Sequence, residues 1–407
     1  LIAAGPRCAA ADADVRLRFD GIGAYALDHS PHARILRRNV DLVEARRDAS
    51  LTWSNPELSW ELEKTGTGPL SDREYTIALA KEFTLPWAGA PHRAAWERRL
   101  EAARRVRSAD TRRLVSELRF GFVALAIRDA ESARLERFET LLERVSRVAG
   151  SRESEGALSG VERRLVDLSL LGVRRSILEI RDERRSLLAR WKTDMGIPAG
   201  AEVTLEAGES VWGGFREVDL SGASGLDATA DFARRQLLVE AAGMDVRSER
   251  GGILPAVTLS GGYRNAGDDR DGFVVGLSAP LPFLGRNTGA VNERRAAFET
   301  ARLRLDLYRA GRDRRVALLV ETAAGKAALL DRHAGIVEDI DVQIENLAAS
   351  YIEGWLSLAG FFEGIEICAG GVADFFGLLG EFYEIVFELE ALTERELVRS
   401  VSPEREG

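Results

Sequence analysis

The 407-residue sequence predicts a mainly α-helical protein with a smaller β part, built from two copies of one pattern. Long runs with apolar residues at alternating steps of three and four predict coiled-coil helices, as in Leu135, Phe138, Leu142 and Val145. Short segments in which apolar and polar residues alternate predict two pairs of strands. The same order of segments occurs twice, which indicates an internal duplication.

The composition supports a large ordered structure and excludes several classes of protein. Apolar residues make up 45% and charged residues 30% of the chain, which excludes wholesale disorder. The net charge of −9 argues against a general nucleic-acid binder, and no apolar run approaches the roughly 20 residues of a transmembrane helix. Two cysteines and four scattered histidines predict no disulfide framework, metal site or cofactor, and no nucleotide-binding loop or catalytic nucleophile is present, so no enzyme is predicted.

Residues 1–25 are predicted to be an N-terminal segment outside the repeats. Its first part, LIAAGPRCAAADA, resembles the end of a secretory signal with small residues at the cleavage site. Arg7 stands where lipidation of Cys8 requires a small residue, which favours a spare thiol.

The first copy spans residues 26–198. It contains a helix over about 32–50, a β-hairpin over 57–84, a long helix to about 151, a turn at Gly156–Ser159 and a return helix over 160–195. A linker over 199–227 follows.

The second copy spans residues 228–400 and repeats this order before a tail over 401–407. It contains a helix over 228–250, a hairpin over 256–281, a long helix to about Tyr351, a turn at Gly354–Ser357 and a last helix. Pro56 and Pro255 lie 199 residues apart, Pro86 and Pro282 lie 196 apart, and Gly156 and Gly354 lie 198 apart. Such steady offsets favour duplication over coincidence.

Helix lengths predict how the helices pair. The long helix of the first copy covers about 60 residues, roughly 90 Å, whereas its return helix covers only 36. A short helix of about 20 residues, stacked end to end on the return helix, would make the pair as long as the long helix.

The strands have one apolar and one polar face. Leu58, Trp60 and Leu62 alternate with Ser59, Glu61 and Glu63. Four strands cannot close a barrel, so strands that meet lipid have to be completed by other subunits. A soluble four-stranded sheet with one face on a core fits the alternation equally well.

Short motifs at these positions resemble the TolC family of outer-membrane efflux channels, and most closely its heavy-metal (cobalt-zinc-cadmium type) branch. The motifs are Asn55-Pro56-Glu57-Leu58-Ser59, Leu85-Pro86-Trp87-Ala88-Gly89, Leu254-Pro255, Leu259-Ser260-Gly261-Gly262-Tyr263, the run from Gly276 to Asn287, and the two turns. Their order and spacing extend over residues 26–398.

The resemblance implies a homotrimer in which each protomer gives four strands to one 12-stranded β-barrel, continued by a long antiparallel α-barrel through the periplasm. It implies a location in outer-membrane lipid, a periplasmic adaptor as partner, and indirect contact with an inner-membrane pump of the RND type. The expected function is passive export of metal cations or small toxic compounds. Two alternatives stay open: a channel for type I protein secretion or drug export, and a soluble coiled-coil scaffold.

The resemblance also implies two sets of site residues. The two turns are the expected contact with the adaptor, through Gly156, Leu158, Ser159, Gly354, Ser357 and Leu358. The ordinary alternative is turn chemistry alone, since glycine permits a tight turn and Ser159 and Ser357 can cap the helices that follow.

The second set lies on the last helix, where acidic residues of the family ring a closed aperture. Matching from Gly354 places Glu363 at one such position, with Glu366 as the alternative on the same face. Gly360 stands at the other acidic position, which departs from the family. Six glycines weaken this helix, and we expect phenylalanines packed against them or a mobile gate.

Overall fold

The computed structural model describes residues 14–65, 72–206, 214–223, 229–252, 256–265, 271–280 and 287–398. The predicted signal remnant with Cys8, Leu254–Pro255, residues 281–286, the C-terminal tail and parts of the predicted linker lie outside these residues. The helices are α1 Ile22–His29, α2 Pro31–Leu51, α3 Pro86–Ser154, α4 Gly160–Met195, α5 Ala230–Gly251, α6 Thr288–Glu338, α7 Ile340–Glu353 and α8 Leu358–Thr393. The strands are β1 Val15–Leu17, β2 Glu57–Thr65, β3 Asp72–Thr84, β4 Val203–Leu205, β5 Ala256–Asn265 and β6 Asp271–Ser278. The prediction of a mainly helical chain with two antiparallel strand pairs is confirmed.

The chain forms two compact units, each assembled from separate stretches of sequence. The helical unit comprises Leu1–Leu36, Ala109–Leu226 and Arg312–Gly407. The sheet unit comprises Arg37–Ser108 and Asp227–Gly311. Each unit therefore takes residues from both predicted copies.

Aromatic residues of α3 and α8 form the centre of the helical unit. Phe122 and Phe138 of α3 and Phe375, Phe382 and Tyr383 of α8 are fully buried. Burying one such side chain typically contributes about 1.5–3 kcal/mol, so each ring contributes substantially to the stability of this unit. In α8, the spacings of seven and eight residues from Phe375 to Phe382 and Tyr383 place the three rings on one face.

The start of α2 lies at the end of α4, as the helix lengths predict. The Ser30 hydroxyl donates to the carbonyl oxygen of Asp194 at 2.6 Å, and His32 lies 3.3 Å from the Asp194 carboxylate. Gly196 ends α4 with a φ of +76°, and its backbone approaches His29 too closely for any side chain.

Residues predicted to be an N-terminal segment and a linker form a two-stranded sheet in the helical unit. β1 pairs in parallel with β4, matching Val15 to Val203 and Leu17 to Leu205. The Arg18 guanidinium lies 2.6 Å from the Glu206 carboxylate just beyond the strands. Three-residue strands carry too few alternating positions to be recognised in a sequence.

The sheet unit contains a four-stranded antiparallel sheet in the order β2-β3-β5-β6. The register pairs Trp60 with Ile77, Ile77 with Tyr263, and Tyr263 with Phe273. Because the strands are antiparallel, the strand ends that connect to helices all lie at one end of the sheet. Strands β2 and β6 are its two edges.

The long helix predicted to continue to about Tyr351 is interrupted at Asp339, where α6 ends and α7 begins. The Arg134 guanidinium of α3 donates to the carbonyl oxygen of Val337 at 2.7 Å, beside the interruption. Asp341 pairs with Arg134 at 3.4 Å and also with Arg137. A side chain from another helix thus binds a carbonyl at the break, which the local sequence pattern cannot indicate.

Candidate functional site

The largest exposed apolar surface of the sheet unit is one face of the four-stranded sheet. The cross-strand register places alternate residues of all four strands on this face. Its large apolar side chains are between 40% and 89% exposed: Leu58, Trp60, Leu62, Ile77, Leu79, Phe83, Leu259, Phe273, Val275 and Leu277. A continuous apolar surface of this kind marks contact with lipid or with another protein.

The opposite face of the sheet is mostly polar or small. It carries Glu61 and Glu63 on β2, Thr76 on β3 and Ser260 on β5. Glu74 and Arg264 form an ion pair across neighbouring strands of this face. The two faces therefore suit different surroundings, one apolar and one aqueous.

Two exposed tryptophans lie near the strand ends that connect to helices. Trp53 and Trp87 lie just outside β2 and β3, and both are exposed. Trp53 packs edge-on against Phe83 at 6.1 Å between ring centres, and the Lys81 ammonium lies 5.5 Å from its ring. Trp60, in contrast, lies within β2, so it belongs to the apolar face and not to a strand end.

The first hairpin turn joins α3 to α4. Gly156 adopts a φ of +76°, and the amides of Ala157 and Leu158 both donate to the carbonyl oxygen of Arg152, at 2.8 and 3.1 Å. Ser159 caps α4, because its hydroxyl accepts the Glu162 amide at 3.2 Å while the Glu162 carboxylate accepts the Ser159 amide at 3.0 Å. That backbone hydrogen bond lowers the pKa of Glu162.

The second turn joins α7 to α8 and repeats this pattern 198 residues later. Gly354 has a φ of +87°, and the amides of Trp355 and Leu356 donate to the carbonyl oxygen of Ser350, at 2.9 and 3.1 Å. The Ser357 hydroxyl accepts the Gly360 amide at 3.2 Å and so caps α8. The predicted cap is confirmed, but Gly360 has no carboxylate with which to complete a capping box.

The surface of the second turn differs from the predicted one. Leu358, predicted to be available to a partner, is only 8% exposed and belongs to the core. Leu158 packs partly against that core. The exposed apolar group of this turn is Trp355, at 83%, which the sequence analysis overlooked although it stands between Gly354 and Leu356 in the recognised motif.

One arginine joins the two turns. Arg152, near the end of α3, donates to the carbonyl oxygens of Tyr351 and Ile352 at 3.2 and 2.6 Å. Its guanidinium also lies 5.3 Å from the centre of the Tyr351 ring. These carbonyls are at the end of α7, where that of Tyr351 also accepts the Gly354 amide at 3.1 Å, and the hydrogen bonds from Arg152 hold the turns side by side.

Glu363 and Glu366 lie on the exposed side of α8, near the second turn. Further along the helix, the same side presents Gly370, Ala373, Gly377 and Glu384. Neither Glu363 nor Glu366 has an ion pair among the residues that the structure describes. A side of small residues and exposed carboxylates lets another copy or water approach closely.

The glycines of α8 have two different surroundings. A side chain at Gly364 would meet Leu347 at 2.8 Å, so this position packs closely. Nothing lies within 4 Å of a side chain added at Gly370, Gly371, Gly377 or Gly380. The expected packing of large groups against glycine is therefore wrong for these four positions.

A buried carboxylate fixes the chain that follows α8. Glu390 accepts the amides of Leu397 and Val398 at 2.6 and 2.8 Å, and both residues are buried. Burial raises the pKa of Glu390, although the two amide hydrogen bonds act in the opposite direction. Sequence analysis missed this residue because a lone glutamate in an apolar run gives no signal of its partners.

Asn287 connects two helices. It precedes α6, and its side-chain amide donates to the carbonyl oxygen and the carboxylate of Glu249, both at 3.0 Å. It therefore binds the last turn of α5 through its side chain.

The described residues contain neither a metal-binding group nor a membrane-spanning helix. They contain no group of three or more His, Cys, Asp or Glu residues that could hold a metal ion. Within the same residues, no helix is both long enough and apolar enough to cross a membrane.

Comparison with known proteins identifies the fold. No protein-family model and no curated protein matches the sequence. Among solved structures, the outer membrane protein VceC from Vibrio cholerae superposes with a TM-score of 0.74 at 16% identity, covering 92% of this chain and 96% of that chain. The CmeC outer membrane channel of Campylobacter jejuni gives 0.76 at 12% identity, with coverages of 94% and 87%. CusC, whose crystal structures describe transmembrane channel formation, gives 0.70 at 13% identity, with coverages of 95% and 94%. The chain thus has the fold of these proteins over nearly its whole length.

Proposed function

We propose that this chain is the outer-membrane channel subunit of a tripartite efflux system, of the TolC type, and acts as a passive conduit. The observation that carries the proposal is the four-stranded sheet with one exposed apolar face and two open edges. The shared fold supports it, since solved structures of outer-membrane channels superpose on more than nine-tenths of this chain.

The open edges support assembly into a trimer. Edge strands β2 and β6 expose unpaired backbone groups, which cannot remain unpaired in hydrocarbon. Pairing of β6 of one copy with β2 of the next would satisfy them, and three copies would give 12 strands with the apolar face outward. The polar face would then line the lumen.

The helical hairpin turns are the proposed contact with a periplasmic adaptor, which would connect the channel to an inner-membrane pump. Trp355 is the best-placed apolar anchor, beside Leu158 and the backbone of Gly156 and Gly354, with Ser159 and Ser357 fixing the helix starts. Replacing Trp355 by lysine should abolish crosslinking to the adaptor without changing trimer mass. Undiminished crosslinking would contradict this assignment.

The cargo is proposed to be metal cations or small toxic compounds. The segment Ile340–Glu394 contains eleven acidic and no basic residues, which favours cations along any path that it lines. Glu363 is the proposed aperture residue, with Glu366 as the alternative, and their exposure permits this role.

Conductance of the purified protein in planar bilayers, with mass measurement of the detergent complex, tests the proposal. We expect discrete, cation-favouring conductance from a species of three chains, and a weaker cation block after Glu363→Gln. An unchanged block would reject Glu363 at the aperture. A water-soluble species without conductance would instead favour a coiled-coil scaffold whose apolar sheet face is covered by protein.

A further inference from the structure

The ends of four helices lie together at the end of the sheet where the strands connect to helices. The Ser50 hydroxyl near the end of α2 lies 2.8 Å from both His92 and Trp96 of α3. Ser248 of α5 donates to the carbonyl oxygen of Ala88 in α3 at 3.1 Å. Asn287 joins α6 to α5 through Glu249. We call these helix ends, residues 46–51, 86–93, 246–251 and 288–295, the collar.

Each helix of the collar carries at least one exposed arginine near the sheet. Arg250 lies in the last turn of α5, Arg46 lies five residues before the end of α2, and Arg93 and Arg295 lie in the second turns of α3 and α6. All four are within about 11 Å, along the helix axis, of the helix end that faces the sheet. In the part of the chain that the structure describes, none of the four has an ion pair.

Helix stability explains only one of these arginines. A cation in the last turn of a helix is favoured by the helix dipole, which accounts for Arg250. Arg93 and Arg295 are near helix N-termini, where the dipole favours anions, and the first turns of α3 and α6 contain no acidic residue. These two cations therefore fit an external anionic partner better than a structural role.

The charge of this part of the molecule is opposite to that of the whole chain. The helical segments of the sheet unit, 37–51, 86–108, 230–251 and 288–311, contain 19 arginines and 12 acidic residues, whereas the chain has a net charge of −9. Exposed carboxylates are present among them, including Glu97 and Glu293. The excess of seven positive charges still favours an anionic partner.

The collar directly adjoins the exposed apolar face of the sheet. Exposed Trp53 lies between the end of α2 and the start of β2, and exposed Trp87 lies in the first turn of α3, next to the end of β3. Aromatic side chains are common in such positions at a membrane interface. Phosphate groups of a bilayer lie just beyond its hydrocarbon, at the depth where the four arginines would be if the apolar face is in lipid.

We propose that the collar binds the headgroups of anionic phospholipids in the leaflet next to the helices, through Arg46, Arg93, Arg250 and Arg295. The inference rests on the proposed function, because it requires the apolar sheet face to enter the bilayer. Guanidinium groups bind phosphate with two parallel hydrogen bonds, which suits arginine in preference to lysine here.

Quenching of tryptophan fluorescence by brominated lipids tests the proposal. The protein is reconstituted in phosphatidylcholine bilayers that contain phosphatidylglycerol, with bromine on one lipid or the other, and the ratio of quenching gives relative binding. We expect phosphatidylglycerol to bind about fivefold more strongly than phosphatidylcholine at low salt and less so at high salt. The preference should fall to about one when all four arginines are replaced by glutamine.

A matched control uses arginines farther from the sheet. Arg104 and Arg107 are exposed on α3, and Arg104 is about 17 Å beyond Arg93 along the helix. Replacing both by glutamine should leave the preference unchanged, and an equal loss would overturn the assignment to the collar. If the quadruple variant does not fold, the pairs Arg46→Gln with Arg250→Gln and Arg93→Gln with Arg295→Gln should each lower the preference.

The outcomes separate this inference from the proposed function. Quenching by both lipids without a preference would show membrane insertion. It would refute the binding of anionic lipid and leave the proposed function intact. Absence of quenching by either brominated lipid would refute insertion, and with it both proposals.

Discussion

The two return helices, α4 and α8, have the same length but opposite character. Each contains 36 residues and follows a serine cap, 198 positions apart. Helix α4 buries five residues and contains nine basic and six acidic residues, whereas α8 buries fourteen and contains seven acidic residues and no basic one. One pattern of turns thus accommodates a surface helix and a core helix, which shows that turn chemistry specifies the hairpin and not the environment of its arms.

The ion pairs of α4 and α8 differ in the same way as their composition. Arg174 of α4 pairs with Glu139 and Glu143 of α3 at 2.6 and 2.5 Å. In α8 the residues that form ion pairs are carboxylates. Glu388, for example, pairs with Arg315 of α6 at 2.9 Å. Helix α4 therefore combines five buried side chains with surface charge pairs, which typically contribute 0–1 kcal/mol each, whereas α8 depends mainly on apolar burial.

The strongest test of this contrast removes one large side chain from each helix. Phe382→Ala in α8 should lower the free energy of unfolding by about 3–5 kcal/mol, because the ring is fully buried. Leu178→Ala in α4 should change it by less than about 0.5 kcal/mol in the single chain, because this leucine is 59% exposed. Denaturant unfolding measures both. A large loss at Leu178 would show that another chain covers α4.

The ends of the two helices offer a second comparison, since equivalent positions bind the following chain with opposite charges. Glu390 of α8 accepts two amides, whereas Lys192 of α4 donates to the carbonyl oxygen of Ala201 at 2.6 Å. Glu390→Ala should destabilise by about 1–3 kcal/mol for each amide left without a partner, and Lys192→Met by about 1 kcal/mol. Equal losses of unfolding free energy in the two variants would contradict the conclusion that Glu390 is more deeply buried than Lys192.

Burial of Glu390 also predicts how the effect of replacing it by glutamine depends on pH. Because the pKa of Glu390 is raised in the folded chain, its ionisation costs stability, and this cost grows as pH rises through the raised pKa. Glu390→Gln keeps an acceptor and removes the charge, so it should be relatively more stable at neutral than at acid pH. A pH-independent difference between wild type and Glu390→Gln would argue against burial as the dominant cause.

The smallest effect concerns the two serine caps. Ser159→Ala and Ser357→Ala should each destabilise by about 1 kcal/mol. The lowered pKa of Glu162 means that its contribution is present above the ordinary carboxyl pKa and is lost as pH falls through the lowered one. Glu162→Gln should therefore weaken the first hairpin at neutral pH and not at strongly acid pH, whereas the second cap, with Gly360 in place of the carboxylate, should show no such dependence.

Sequence periodicity predicted the parts of the fold that depend on local rules. Alternation placed β2, β3, β5 and β6, and glycine with serine placed the turns, since both signals act within a few residues. Contacts between distant residues gave no such signal. The break at Asp339 involves Arg134, about 200 residues earlier, and the pairing of β1 with β4 joins segments equally far apart.

The site residues were predictable to a similar degree. Ser159 and Ser357 cap helices as predicted, because capping is local. Which leucine faces solvent depends on what α8 packs against, so Leu358 was wrongly taken as exposed and Trp355 was missed. The open surroundings of Gly370 and Gly377 could not be deduced from their own sequence either.

The most direct test of the central claim, that one face of the sheet meets lipid, is spin-label accessibility along β2. Single cysteines at Leu58, Trp60 and Leu62 and at Ser59, Glu61 and Glu63, in a protein without Cys8 and Cys368, are labelled after reconstitution. The account predicts an alternation in which the first set collides mainly with lipid-soluble oxygen and the second mainly with a water-soluble nickel complex. If the first set is protected from both reagents, the apolar face is covered by protein and the channel assignment is wrong.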